Sequence, residues 1–254
     1  MKRILLSFLF LVSAAFGQGV VGTGGALGRS GTLGGASGTT FTKAQFMGSN
    51  TQCASTSATC NFSPTSSTTI GNVSMVMVFA AANVTLSSIS GGGATWVSYS
   101  TSGTGCANFY AGSSTYISCG YTSTAYTSSV ASLTITLSAA PGAGNPFIVI
   151  YAEYSTTGAA PSFDTAGAQT QSSAVSPVPG VTLTPSGPSS VIIQCMGYGS
   201  TTGITGGSPA YGNFTQPGGG ELACADSENT SSGTAPNWTV GTPQVANLNA
   251  LALK

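Results

Sequence analysis

Residues 132–138 read SLTITLS, and this stretch decides the fold. Leu133, Ile135 and Leu137 alternate with serine and threonine, which is the period-two pattern of a β-strand with one apolar and one polar face. Residues 75–79 and 147–151 are instead apolar at every position, as in strands that are covered on both faces. Together these segments predict an all-β protein whose core lies between sheets.

Similar short segments recur along the chain between clusters of glycine, proline, serine and asparagine. They cover residues 40–46, 95–99, 116–121, 180–184, 191–198, 212–216, 221–227, 238–240 and 245–253. No amphipathic helix of useful length interrupts them. About ten or more strands at this spacing predict an antiparallel sandwich or barrel, built as one two-layer domain.

The N-terminus has the pattern of a secretory signal peptide. Lys2 and Arg3 precede the apolar run 4–12, and small residues end at Gly17, where cleavage is expected. The run is far shorter than the roughly 20 residues that cross a bilayer, so no membrane span is expected. Residues 1–17 therefore predict a secreted protein, extracellular or at the cell surface.

The rest of the chain divides into two parts. Residues 18–40 predict a glycine-rich flexible leader, and residues 41–254 predict the β-sandwich domain.

Charge is scarce, with five lysine and arginine residues against five aspartate and glutamate residues. Without residues 1–17, three cations remain against five carboxylates, a net charge of −2. Phosphate binding needs clustered cations, so the composition argues against nucleic acid as a partner and excludes a polybasic patch for membrane binding. Serine and threonine hydroxyls, rather than ions, are expected to hydrate the surface.

The six cysteines all follow residue 17, and an even number in an exported chain predicts a disulfide framework. Fifteen connectivities are possible. Sequential pairing is favoured because each pair is local: Cys53–Cys60, Cys106–Cys119 and Cys195–Cys224. A zinc site is the alternative, but the chain has no histidine and no C-x-x-C pair. No cofactor is expected.

The absence of histidine excludes the Ser-His-Asp and Cys-His catalytic arrangements. A carboxylate pair remains, since Asp226 and Glu228 are two residues apart and would share one face of a strand. Glu221 extends this group to a weak candidate for a calcium site, although a solvated strand end is the expected role. Glu153, at the end of an apolar strand, is expected to be a hydrogen-bonded structural carboxylate rather than a catalytic acid.

Aromatic residues at turns and strand ends are the stronger functional candidates. Grouped on one surface, such rings would form a platform for sugar faces, although core packing is the favoured explanation for any single one. The candidates are Trp96, Tyr99, Tyr110, Tyr121, Tyr211 and Trp238.

Several short motifs resemble a poorly characterised class of secreted bacterial β-sandwich domains. They are Gly71-Asn72 before residues 75–79, the alternating LTITL, the Glu-Tyr-Ser of residues 153–155, and the closing Ala-Leu-Lys of residues 252–254. Thr156 stands where that class has glycine. The resemblance implies a jelly-roll-like sandwich and no particular activity.

Three functions follow as hypotheses. The first is a non-catalytic sandwich that binds an extracellular glycan or surface polymer, or mediates adhesion. The second is a structural subunit of an extracellular layer or fibre, which self-associates by adding its leader as a strand to a neighbour. The third is a carboxylate-pair glycosidase.

Overall fold

The segment that decides the fold is a strand, Leu133–Leu137, and its three apolar side chains are buried as predicted. The computed structural model describes residues 39–49, 51–81, 83–112, 114–158, 160–187, 189–198, 204–205, 213–215, 222–230, 237–241 and 243–254. The predicted signal peptide and residues 18–38 of the predicted leader lie outside this part. Ala36–Lys254 form one compact unit.

Seventeen strands and no helix occur in the described residues. The first nine are β1 (Thr40–Ser49), β2 (Thr59–Phe62), β3 (Val73–Ala81), β4 (Leu86–Ser90), β5 (Trp96–Tyr99), β6 (Asn108–Tyr110), β7 (Thr115–Thr122), β8 (Leu133–Leu137) and β9 (Phe147–Thr157). The other eight are β10 (Phe163–Val175), β11 (Val178–Pro179), β12 (Ser190–Tyr198), β13 (Ile204–Thr205), β14 (Asn213–Thr215), β15 (Leu222–Thr230), β16 (Asn237–Val240) and β17 (Gln244–Leu253). Since no helix is present there, the described part has none that could cross a membrane.

The strands form four antiparallel sheets. The first central sheet has the order β1-β9-β3-β7-β5, with β6 also paired to β7, and the first outer sheet has the order β2-β8-β4. The second central sheet has the order β10-β17-β12-β15-β14, and the second outer sheet has the order β11-β16-β13. All-β architecture with antiparallel pairing is therefore confirmed.

Three cores separate four layers, so the predicted two-layer arrangement is wrong. One core lies between the two central sheets, and each central sheet shares a further core with its own outer sheet. Met77 on β3 faces the central core, whereas its neighbours Val76 and Val78 face the first outer sheet. Strands of the central sheets are apolar on both faces because each sheet lies between two cores.

The two halves of the chain repeat one topology. Leaving β6 aside, each half has eight strands: the first, eighth, third and sixth form a central sheet, and the second, seventh and fourth an outer sheet. This order is that of a jelly roll. The fifth strand departs from it, because β5 and β14 each pair with the sixth strand of their half. The protein is thus two jelly-roll-like sandwiches packed through their central sheets.

The predicted disulfides are confirmed: Cys53–Cys60, Cys106–Cys119 and Cys195–Cys224. Cys119 and Cys224 occupy equivalent strands of the two halves, β7 and β15, and both face the central core. Cys195 lies directly opposite Cys224 in the β12–β15 ladder, with 4.1 Å between their Cα atoms. Two of the three disulfides therefore lie in the layer that joins the halves.

Residues 180–184 were predicted as a strand and are not one. Val181 and Leu183 are buried against the second central sheet, and Gln194 Nε2 donates to the Val181 carbonyl at 2.7 Å. The alternating pattern there reflects burial of an extended segment on a sheet face, without a ladder.

Candidate functional site

Three aromatic rings meet where one edge of the first central sheet lies beside β10 of the second. The ring centroid of Tyr121 lies 5.7 Å from that of Phe163 in a stacked arrangement, and Tyr99 lies 6.0 Å from Phe163 and 6.4 Å from Tyr121. We call these three residues the aromatic seam. Tyr99 and Phe163 are half-buried and Tyr121 is buried, so the seam presents ring surface to solvent at the boundary between the two sandwiches.

The three rings of the seam lie at or near the ends of their strands. Tyr99 is the last residue of β5, Phe163 is the first residue of β10, and Tyr121 lies near the end of β7. In the β5–β7 ladder, Tyr99 pairs with Cys119 and Val97 pairs with Tyr121, which puts both tyrosine side chains on the face toward the second sandwich. The seam therefore depends on the packing of the two halves.

A tight loop holds the Tyr99 ring in place. Gly105 in this loop has φ +53°, and a Cβ atom there would lie 2.5 Å from the Tyr99 ring, so a side chain cannot be accommodated without displacing it. The next residue, Cys106, is tied to β7 through Cys119. Gly103 N donates to the Ala107 carbonyl at 2.9 Å, which closes the loop. The ring position is thus fixed by a covalent bond and by close backbone packing.

The seam carries two phenol groups for polar contacts. Neither the Tyr99 nor the Tyr121 hydroxyl has a hydrogen-bond partner among the described residues. Burial raises the pKa of both, and the neighbouring Tyr121 adds to the rise for Tyr99. Both hydroxyls therefore stay protonated at neutral pH, where each can donate and accept a hydrogen bond.

The structure does not gather the six predicted aromatic residues on one surface. Tyr99 and Tyr121 belong to the seam, whereas Trp238 is fully buried between the second central and outer sheets and is a core residue. Trp96 lies three residues before Tyr99 on β5 and so faces the other side of the sheet, where it packs near Tyr126. Tyr110 lies on β6 and is half-buried. Tyr211 lies outside the described residues.

Phe163 completes the seam and was not among the predicted candidates. It lies 64 residues after Tyr99 and directly before Asp164, in a segment with few β-branched residues. No local pattern marks it. Only the packing of β10 beside β5 and β7 brings the three rings together.

The carboxylates predicted to pair share one strand face, and they make structural contacts between the halves. Asp226 is fully buried and accepts a hydrogen bond from the Tyr154 hydroxyl at 2.8 Å. Glu228 Oε2 accepts from the backbone N–H of Lys43 at 3.4 Å. The next residue, Asn229, accepts from Phe41 N at 2.7 Å and donates to Phe41 O at 2.9 Å. The end of β15 thus binds β1.

Glu221 lies outside the described residues, so the three-residue calcium site stays a prediction. Within the part of the chain that is described, no three histidine, cysteine or acidic side chains come close enough to hold a metal ion. Asp226 of the predicted carboxylate pair is fully buried, with its Oδ2 bonded to the Tyr154 hydroxyl.

Glu153 is a buried structural carboxylate, as expected. It accepts hydrogen bonds from Thr69 N at 2.8 Å, Asn72 Nδ2 at 2.7 Å, the Tyr151 hydroxyl at 2.9 Å and Gln45 Nε2 at 2.5 Å. Its contacts fix the turn that leads into β3.

The second half has a counterpart of Glu153 at the same corner. Asp164 accepts hydrogen bonds from the backbone and side chain of Ser186, before β12, and from Oγ of Ser190, the first residue of β12. Lys254 Nζ lies 3.7 Å from Asp164. Each sandwich therefore uses one carboxylate to secure the entry to its third strand.

The chain shows no significant match to a protein-family model, to a curated protein or to a solved structure.

Proposed function

We propose that this protein is a non-catalytic, extracellular glycan-binding protein whose contact surface is the aromatic seam. The observation that carries the proposal is the contact of Tyr99, Tyr121 and Phe163 at the boundary of the two sandwiches, with two tyrosine hydroxyls free of protein partners in the described residues. Aromatic rings pack against the C–H groups of a sugar face, and the phenol groups supply polar contacts.

Rigidity of the site supports binding over a purely structural role. The Cys106–Cys119 disulfide and the Gly105 contact hold Tyr99 before any ligand arrives. A site that is fixed in advance loses little conformational entropy on binding. Three disulfides also suit an oxidising compartment, in agreement with the predicted export.

Charge favours neutral over acidic glycans. The chain after residue 17 has three cations against five carboxylates, so an anionic polymer would meet net repulsion. None of the three seam residues carries a charge at neutral pH.

We expect Tyr99→Ala to weaken binding of a neutral polysaccharide about tenfold or more, because the variant removes one ring of the three and a hydroxyl. Native electrophoresis in gels containing hydroxyethylcellulose or galactomannan measures the change as loss of retardation. Trp96→Ala is the matched control, since it removes a half-buried aromatic ring on the other face of β5, away from the seam. Equal retardation of wild type and Tyr99→Ala, or retardation only in polygalacturonate gels, would overturn the proposal.

The structural-subunit hypothesis remains a prediction, because most of the leader on which it depends lies outside the described residues.

A further inference from the structure

We propose that the ligand of the aromatic seam is an extended, unbranched neutral glycan chain, which runs from the seam along one face of β10 to a polar contact at Thr170. This inference rests on the proposed function and specifies the length and polarity of its ligand.

The β10–β17 ladder places the residues of this path on one face. Ala166, Ala168 and Thr170 pair with Leu251, Asn249 and Asn247 of β17. Leu251 belongs to the central core, and both Phe163 and Ala166 pack against that core. These residues of β10, from Phe163 to Thr170 on one face, therefore face the first sandwich, and we call them the row. At about 3.3 Å per residue, Phe163 and Thr170 are roughly 20 Å apart. That distance spans several sugar residues.

The middle of the row is partly accessible to solvent. Ala166 and Ala168 are small and only half-buried, so the first central sheet does not cover them completely. Asn249, opposite Ala168, is fully buried and donates through Nδ2 to the Cys106 carbonyl at 3.1 Å. Its Oδ1 has no partner among the described residues. A buried acceptor without a donor is costly, and a buried water molecule would satisfy it.

The far end of the row is a preformed polar group. Asn108 Nδ2 donates to Thr170 Oγ1 at 2.9 Å and to Asn247 Oδ1 at 2.7 Å, while Asn247 Nδ2 donates to the Asn108 carbonyl at 3.0 Å. Because Thr170 Oγ1 already accepts, its O–H can donate outward, and Thr170 is exposed. Asn108 Oδ1 accepts no bond from a described residue and is available as an acceptor. A donor beside an acceptor matches a sugar hydroxyl, which needs both.

Charged groups are kept away from this path. Asp164, the only charged residue of β10, is held by Ser186 and Ser190 and by Lys254. A neutral chain therefore meets aromatic, small and uncharged polar groups in turn.

The test compares β-linked gluco-oligosaccharides of two and six units by isothermal titration calorimetry. Wild type is expected to bind the hexasaccharide at least tenfold more tightly than the disaccharide. Thr170→Ala is expected to lose about fivefold in hexasaccharide affinity and none in disaccharide affinity, whereas Tyr99→Ala weakens both. Thr165→Ala is the matched control, because Thr165 lies on the opposite face of β10 and should change neither affinity.

Equal affinity of wild type for the two oligosaccharides, with no effect of Thr170→Ala, would overturn the extended path while a loss in Tyr99→Ala would still support the seam. Absence of binding to either oligosaccharide in wild type would count against both proposals.

Discussion

Glu153→Ala is expected to lower the free energy of unfolding by about 3–5 kcal/mol, because four donors lose their shared acceptor in a fully buried position. For a domain of this size such a loss lowers the melting temperature by roughly 10 °C. Thermal unfolding followed by circular dichroism measures it. Glu153→Gln should fall between wild type and alanine, since the amide keeps one oxygen and the side-chain volume.

The same variants separate a structural carboxylate from one that contacts the ligand. A structural Glu153 predicts that Glu153→Gln, assayed below its melting temperature, binds polysaccharide as wild type does. Asp164→Ala is the comparison in the second half and should also destabilise the protein, through loss of Ser186 and Ser190 contacts. An unchanged melting temperature for Glu153→Ala would contradict the assigned role.

Cooperative unfolding is expected as the pH rises from about 10 to 12, because buried tyrosines resist ionisation in the folded state. Burial raises the pKa of Tyr126 to about 12, and burial likewise raises the pKa of Tyr151 and of Tyr154. The negative charge of Asp226 adds to the rise for Tyr154. In the unfolded chain these groups titrate near pH 10.

The direction in which stability changes with pH follows from proton release. The unfolded chain loses tyrosine protons at a lower pH than the folded protein, so stability is complete below pH 10 and falls as the pH approaches the folded pKa values. For Tyr126 alone the loss by pH 12 is roughly 2 kcal/mol. Absorbance of tyrosinate and circular dichroism should change together. Tyr126→Phe should move the midpoint to higher pH, and an unchanged midpoint would contradict this explanation.

Alternation and composition predicted the parts of the fold that depend on local pattern. The alternating segment of β8 and the wholly apolar segments of β3 and β9 form strands, because their residue types alone indicate burial on one face or on both. The three disulfides followed from nearness in sequence. Strand β10 was missed, because its middle reads AGAQTQSSA and has almost no β-branched residues. Its ladder with β17, rather than propensity, makes it a strand.

The repeated topology of the two halves could not be predicted from the sequence either. Ladder positions show that Met77 of β3 corresponds to Cys195 of β12, since each lies opposite a cysteine of the sixth strand, Cys119 or Cys224. The same ladders match Ile150 with Asn249. These two pairs of equivalent residues differ in type although Cys119 and Cys224 are both cysteines, so topology rather than sequence pattern shows the repeat. Tyr99 and Tyr121 were predicted from their positions at strand ends, but the aromatic seam lies between the repeats, so no local pattern could reveal Phe163 or the grouping of the three rings.

The most direct test of the proposed glycan site is to map a neutral glycan onto the protein by NMR, using the aromatic ring resonances during titration with the gluco-hexasaccharide. Binding at the seam predicts that the resonances of the Tyr99, Tyr121 and Phe163 rings shift in proportion to occupancy, while those of the buried Trp238 ring do not. Shifts confined to residues outside the seam, or no shifts at a saturating concentration of ligand, would contradict it.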